Sequence, residues 1–248
     1  MTAASVALSG SLSRGEARVT GRRVLSDLDL IPVVLTPEDA ILARKQLASV
    51  LQELSVLYEI TCTAAITLEA NFLRARHAGY VTSMATQPFA WDPLDVTQRL
   101  KGRSGEPTSP ADVLPWLVQP VTYYLAKAGA LSPEENLAKA ARATRHLLYK
   151  AGLSTVTELA LVDRLGSPSS SDDVQRGVAE GCANAVRHIA DSHNVQLLPS
   201  SQEFLARAGT SADTENAQET FRVVRDRTFL ENQGLPFEVS AMAARPTV

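Results

Sequence analysis

An all-α fold is what the sequence predicts: a multi-helix bundle of eight or nine helices with extended N- and C-terminal arms. Three observations lead there. Alanine is abundant while aromatic residues make up only 5% of the 248 positions, and alanine favours helices whereas strands favour β-branched and aromatic side chains. Helix-start signals recur at Thr36-Pro37-Glu38-Asp39, Asp92-Pro93, Ser109-Pro110 and Ser132-Pro133-Glu134-Glu135, each joining a capping oxygen to a proline at the first helical position. Behind them apolar residues return at helical spacing.

Residues 1–24 hold Arg14, Arg18, Arg22 and Arg23 against one acid, Glu16, with many Ser and Thr. Too little there is apolar to pack, so a basic arm is expected. Its composition is also that of an organelle transit segment, which would place the protein in a stroma or matrix. Residues 24–35, VLSDLDLIPVVL, read as an apolar extended segment in which Pro32 prevents an uninterrupted interior strand.

From the Thr36 cap a helix is expected, with Leu47, Val50, Leu51, Leu54 and Leu57 along one stripe. No Pro or Gly interrupts residues 38–78, and the stretch from Tyr58 to His77 is apolar nearly all round, as a central buried helix would be. Arg74, Arg76 and His77 close it before Gly79, where positive charge suits a helix C-terminus. Residues 79–92 read as irregular, and Asp92 opens a short helix to about Leu100.

The helix from Ser109 carries Trp116, Tyr123 and Tyr124 and should be kinked or broken at Pro115 and Pro120. Ser132 and Glu135 form a capping box for a helix ending at Gly152. Another follows from Ser154 to near Gly166, and a linker spans 167–171. The helix over 172–193 lines up Val174, Val178, Cys182, Val186 and Ile189, flanked by Gly177, Gly181 and Ala185, which would suit a close helix contact. Helices over 201–208 and 214–232 precede a proline-bearing tail. The domain organisation expected is an N-terminal arm (1–35), a helical core (36–233) and a C-terminal arm (234–248).

The composition, 45% hydrophobic and 21% charged with net charge -3, is globular and excludes a generally basic nucleic-acid packer. No run of 18 apolar residues occurs, which excludes a membrane-spanning helix. The two cysteines, Cys62 and Cys182, read as reduced core residues of a cytosol-like compartment. Motifs for dinucleotides, P-loops, serine-hydrolase elbows and zinc proteases are missing. His188 and His193 are five apart and do not share a helix face. The expectation is therefore a non-enzyme with no cofactor and no metal.

The helix over 133–151 is two-sided. Lys139, Arg142, His146 and Lys150 fall within an arc of about 80°, with Arg145 at its margin, opposite an apolar face. Such a stripe can track phosphates, and it can also be a solvated helix face whose charges follow the helix dipole. Arg74, Arg76 and Arg103 are secondary candidates for the same role, with Tyr80, Phe89 and Trp91 between them for base stacking. Leu30, Ile31, Val33 and Val34, and Leu235, Phe237, Val239 and Met242, are the expected contacts of the arms with neighbouring copies.

Together these features describe a self-assembling structural subunit, such as a viral or phage coat or nucleocapsid protein located in a virion or host cytoplasm. It would form homo-oligomers through its arms and contact single-stranded nucleic acid through its basic helix. Two other readings fit the same residues: a helical enzyme or small-ligand domain with a pocket near Trp116, Tyr123, Tyr124 and His146, and an intracellular adaptor.

Overall fold

The computed structural model describes residues 4–9, 12, 19–21, 23, 24, 26–73, 89–101, 109–153, 172–208 and 214–233. The chain divides into two compact units, one formed by Met1–Pro107 with Asn232–Val248 and one by Thr108–Glu231. The divisions fall between residues 107 and 108 and between 231 and 232.

The first unit corrects the all-α expectation, because it is built on a five-stranded mixed sheet. Strand β1 (Ser5–Ser9) lies between β4 (Leu28–Val34) and β7 (Phe89–Trp91), antiparallel to both. On its other side β4 runs parallel to β5 (Cys62–Ala64) and β6 (Thr67–Leu68). A separate two-stranded ribbon pairs β2 (Val19–Thr20) with β3 (Arg23–Val24).

The apolar segment around Pro32 is therefore an interior strand. Leu28 to Leu30 pair with Cys62 to Ala64, and Val33 and Val34 pair with Thr67 and Leu68 in the same register. The neighbour is interrupted opposite Ile31 and Pro32, where proline has no N–H to give to a ladder. Pro32 is accommodated by a gap in its partner.

Helix α1 (Pro37–Tyr58) makes the crossover that two parallel strands require. Its start is as expected: the Asp39 N–H donates to Thr36 Oγ1 at 3.2 Å, with Pro37 in the first turn. It stops at Glu59, whose left-handed φ of 52° ends the helix, and Ser55 Oγ accepts from the Cys62 N–H at 3.0 Å. The helix expected to run on to His77 is replaced by β5, β6 and the short α2 (Glu69–Leu73). The physical reason is local composition: Ile60, Thr61, Thr63, Ile66 and Thr67 are β-branched, and β4 offers an unpaired edge.

Ala7, Ile31 and Val33 point from the sheet into a small core with Phe72 of α2 and with Val96 and Leu100 of α3 (Val96–Lys101). Phe72 meets Phe89 edge-on at 5.9 Å between ring centres. Asp92 ties the unit together. Its Oδ1 accepts from Ser5 Oγ at 2.7 Å and the Val96 N–H at 3.0 Å, and its Oδ2 from the Thr97 N–H at 3.0 Å and Thr97 Oγ1 at 2.7 Å.

The second unit is helical. It contains α4 (Pro110–Ala130), α5 (Pro133–Lys150), α6 (Asp172–Ser192), α7 (Pro199–Arg207) and α8 (Thr214–Gln233). Leu114, Val118, Val121, Leu147, Leu148, Val186 and Ile189 are its most enclosed apolar side chains. Pro115 and Pro120 do not break α4, which runs through both. Burial of the apolar side chains around them outweighs the two missing backbone hydrogen bonds.

The Ser132 capping box does not form. Only Leu131 and Ser132 separate α4 from α5, and so tight a reversal puts Ser132 in the left-handed region, at φ 44°, with no side-chain cap. Asn136 ties the turn together differently, donating its amide to the carbonyls of Leu131 and Ser132 at 2.7 and 3.1 Å. The close helix contact expected at Gly177 is not found among the described residues, since a Cβ built there would meet none of them within 4 Å. The helix expected from Ser154 lies outside the described residues.

A buried carboxylate joins three helices of this unit. Glu231 of α8 accepts from Ser200 Oγ at 2.6 Å, from Gln119 Nε2 at 2.7 Å, and from the Ser200 N–H at the start of α7. Burial pushes its carboxyl above the usual range, while these donors pull the other way.

Candidate nucleic-acid interface

Helix α5 divides cleanly into two faces. Leu137, Ala140, Ala141, Thr144, Leu147 and Leu148 are buried against the core, and Arg142, Arg145, His146, Tyr149 and Lys150 are exposed. The 3.6-residue period enforces this split, because every apolar residue of the helix except Tyr149 and the small alanines falls on one side.

Of the five cations expected in the stripe, four are presented together. Lys139 is withdrawn: its Nζ pairs with Glu135 at 2.7 Å, sits 5.9 Å from the centre of the Tyr124 ring, and its side chain is only 20% exposed. Glu135 thus neutralises Lys139 at the N-terminal end of the stripe.

Burial, and then the neighbouring charge of Lys150, hold the His146 imidazole below its ordinary value, which favours the neutral ring.

The C-terminal end of α5 is closed. The N–H groups of Ala151, Gly152 and Leu153 donate to the carbonyls of Leu147, Tyr149 and Leu148 at 2.9, 3.1 and 3.0 Å. Gly152 makes the turn with φ +72°. Three of the last four carbonyls of the helix thereby have donors.

The sequence reading missed Tyr149, whose ring is 73% exposed and projects between Arg145 and Arg142 at one edge of the cationic arc. The signal was present: Tyr149 follows His146 by three, Arg145 by four and Arg142 by seven residues, the spacings that align side chains on one helix face.

The other sequence-predicted sites fare differently. Arg74, Arg76 and Arg103 lie outside the described residues, as do Tyr80, Leu235, Phe237, Val239 and Met242. Leu30, Ile31, Val33 and Val34, expected on neighbouring copies, form β4 instead: Ile31, Val33 and Val34 are buried and Leu30 half-buried within their own unit. Their backbone finds partners on both sides in the same chain, so they have no need of a second one. Phe89 packs in the core, and Trp91 is exposed on β7.

An open groove on this unit is bounded by Ala130, Leu131, Gln218, Glu219, Phe221, Arg222 and Arg225, and Trp116, Tyr123, Tyr124 and His146 are not among these lining residues. Tyr123 instead makes edge-on contacts with Tyr124 at 5.6 Å and Phe221 at 5.8 Å. Among the described residues no group of three or more His, Cys, Asp or Glu is placed to hold a metal ion. No helix there is long and apolar enough to cross a membrane. No protein-family model, curated protein or solved structure matches the chain.

Proposed function

We propose that this chain is a non-catalytic structural protein that binds the phosphates of nucleic acid through the exposed face of α5. The observation that carries the reading is the grouping of Arg142, Arg145, His146 and Lys150 on one exposed surface, after Glu135 has paired with Lys139. Long cations spaced a turn apart neutralise successive phosphates without reading sequence, and each contact releases counterions. The overall charge of -3 does not oppose this, because binding responds to the local potential.

The test is the salt dependence of nucleic-acid binding by the wild type and by Arg142→Glu/Lys150→Glu. The log-log slope should become shallower by about two in the variant, with a uniform loss of affinity across sequences. Identical slopes and affinities would refute the reading.

A specific observation also favours self-association, as a coat or nucleocapsid subunit would require. Helix α1 buries only Ala40, while Val50, Val56, Leu57 and Tyr58 stay exposed, the last three by about 70% each. A run of bare apolar side chains on a long helix suits contact with a second copy of the chain. In this reading the contact is made by α1, and the β4 residues serve the subunit's own sheet.

A further inference from the structure

We infer that Tyr149 is a base-stacking platform, so that the α5 face selects single-stranded nucleic acid with unpaired bases over duplexes and over acidic proteins. The inference rests on the proposed function and names the ligand class of the same site.

Tyr149 is an anomaly for a structural residue. Its ring is 73% exposed, it belongs to no part of the apolar core, and it makes no ring contact or hydrogen bond through its side chain among the described residues. A solvated face of α5 would be served as well by Lys or Gln. What distinguishes Tyr149 is its neighbourhood. On an ideal helix it projects roughly 20° from Arg142, 40° from Arg145 and 60° from His146, and Lys150 is next in the chain.

Arg145 and His146 therefore lie about one turn (~5.4 Å) before the ring, and Arg142 about two turns (~10.8 Å) before it. A base laid on the ring places the phosphates on either side of it among cations. Aromatic stacking accepts any base, because every base has a π-face, and flanking cations hold the backbone.

The alternatives use this surface less completely. In a duplex each base face is covered by its neighbour, which leaves phosphates for the cations and nothing for the ring. An acidic peptide would likewise engage Arg142, Arg145 and Lys150 and leave Tyr149 idle.

The experiment titrates the full chain against fluorescently labelled oligothymidylate, an abasic phosphodiester chain of the same length, a duplex and polyglutamate, at one fixed salt concentration. The wild type should prefer oligothymidylate over the abasic chain on the order of tenfold. Tyr149→Ala should lose that preference with its affinity for the abasic chain unchanged, and Tyr149→Trp should retain it. Circular dichroism of each variant checks that α5 is intact. Equal binding of base-bearing and abasic chains by the wild type, an indifferent Tyr149→Ala, or equal affinity for duplex or polyglutamate overturns the inference alone. Failure of the wild type to bind any of the four overturns the proposed function as well.

Discussion

Asp92 joins β1 to α3 through its carboxylate, and its replacement tests how the first unit holds together. Its carboxylate accepts four hydrogen bonds, two from N–H groups of the first turn of α3 and two from the hydroxyls of Ser5 and Thr97. Ser5 is fully buried in β1, and its Oγ also accepts from the Leu94 N–H at 3.2 Å. Asp92→Ala removes a helix cap, worth about 1 kcal/mol, and strips a buried hydroxyl of its acceptor, which costs about 1–3 kcal/mol. Solvent near the half-buried carboxylate tempers the second figure, so a loss of about 2 kcal/mol is expected. Asp92→Asn keeps one acceptor and should lose about half as much.

The pH dependence has a definite sign. Burial works against the Asp92 charge, but the hydrogen bonds from Ser5, Thr97 and Val96 outweigh it and hold the carboxyl below its ordinary value. A depressed folded pKa gives stability that is fully present above the unfolded value of about 3.9 and is lost as pH falls through the folded one. Urea unfolding at neutral pH and below pH 4 measures both effects. A double-mutant cycle with Ser5→Ala should give a coupling above about 0.5 kcal/mol. An Asp92→Ala protein that unfolds at the wild-type urea concentration, or a cycle with no coupling, would refute this account.

The remaining predictions concern Glu231 and α1. Burial raises the Glu231 carboxyl above its ordinary range, so the native state holds that proton more tightly than the unfolded chain does. Its contribution to stability is full below the unfolded value and falls as pH rises through the folded one. Glu231→Gln should therefore flatten the pH dependence of unfolding above about pH 4.3, and parallel curves for the two proteins would contradict the assignment. For α1, light scattering should find the wild type oligomeric at micromolar concentration and Val56→Lys/Leu57→Lys shifted to monomer. A wild type that stays monomeric, or a variant that assembles equally well, would end the self-association reading.

The helical unit was legible because its information is local. The buried face of α5 and the stripe of Val178, Cys182, Val186 and Ile189 on α6 follow from residue spacing alone. The Thr36 cap and the Gly152 stop are written in single residues and their immediate neighbours, whereas the helix expected to open at Asp92 begins only at Val96, with Asp92 accepting from its first N–H groups. The sheet was not legible. Cys62–Ala64 and Thr67–Leu68 are too short to show a period of two, and they follow directly on a strong helix pattern without Pro or Gly between. Ser132 failed as a cap because the tight turn out of α4, a neighbour's demand, set its backbone first.

At the candidate site, the sequence placed Arg142, His146 and Lys150 within one arc with Arg145 at its margin, since a helix converts spacing into direction without outside help. Only the folded chain decided that Lys139 belongs with Glu135 and Tyr124, that Tyr149 stands clear of the core, and that Leu28–Val34 is an interior strand. Those outcomes hang on which distant segment arrives alongside. β1 and β4 are brought together across about twenty intervening residues, and a strand's partner, unlike a helix's, is never contained in its own stretch of chain.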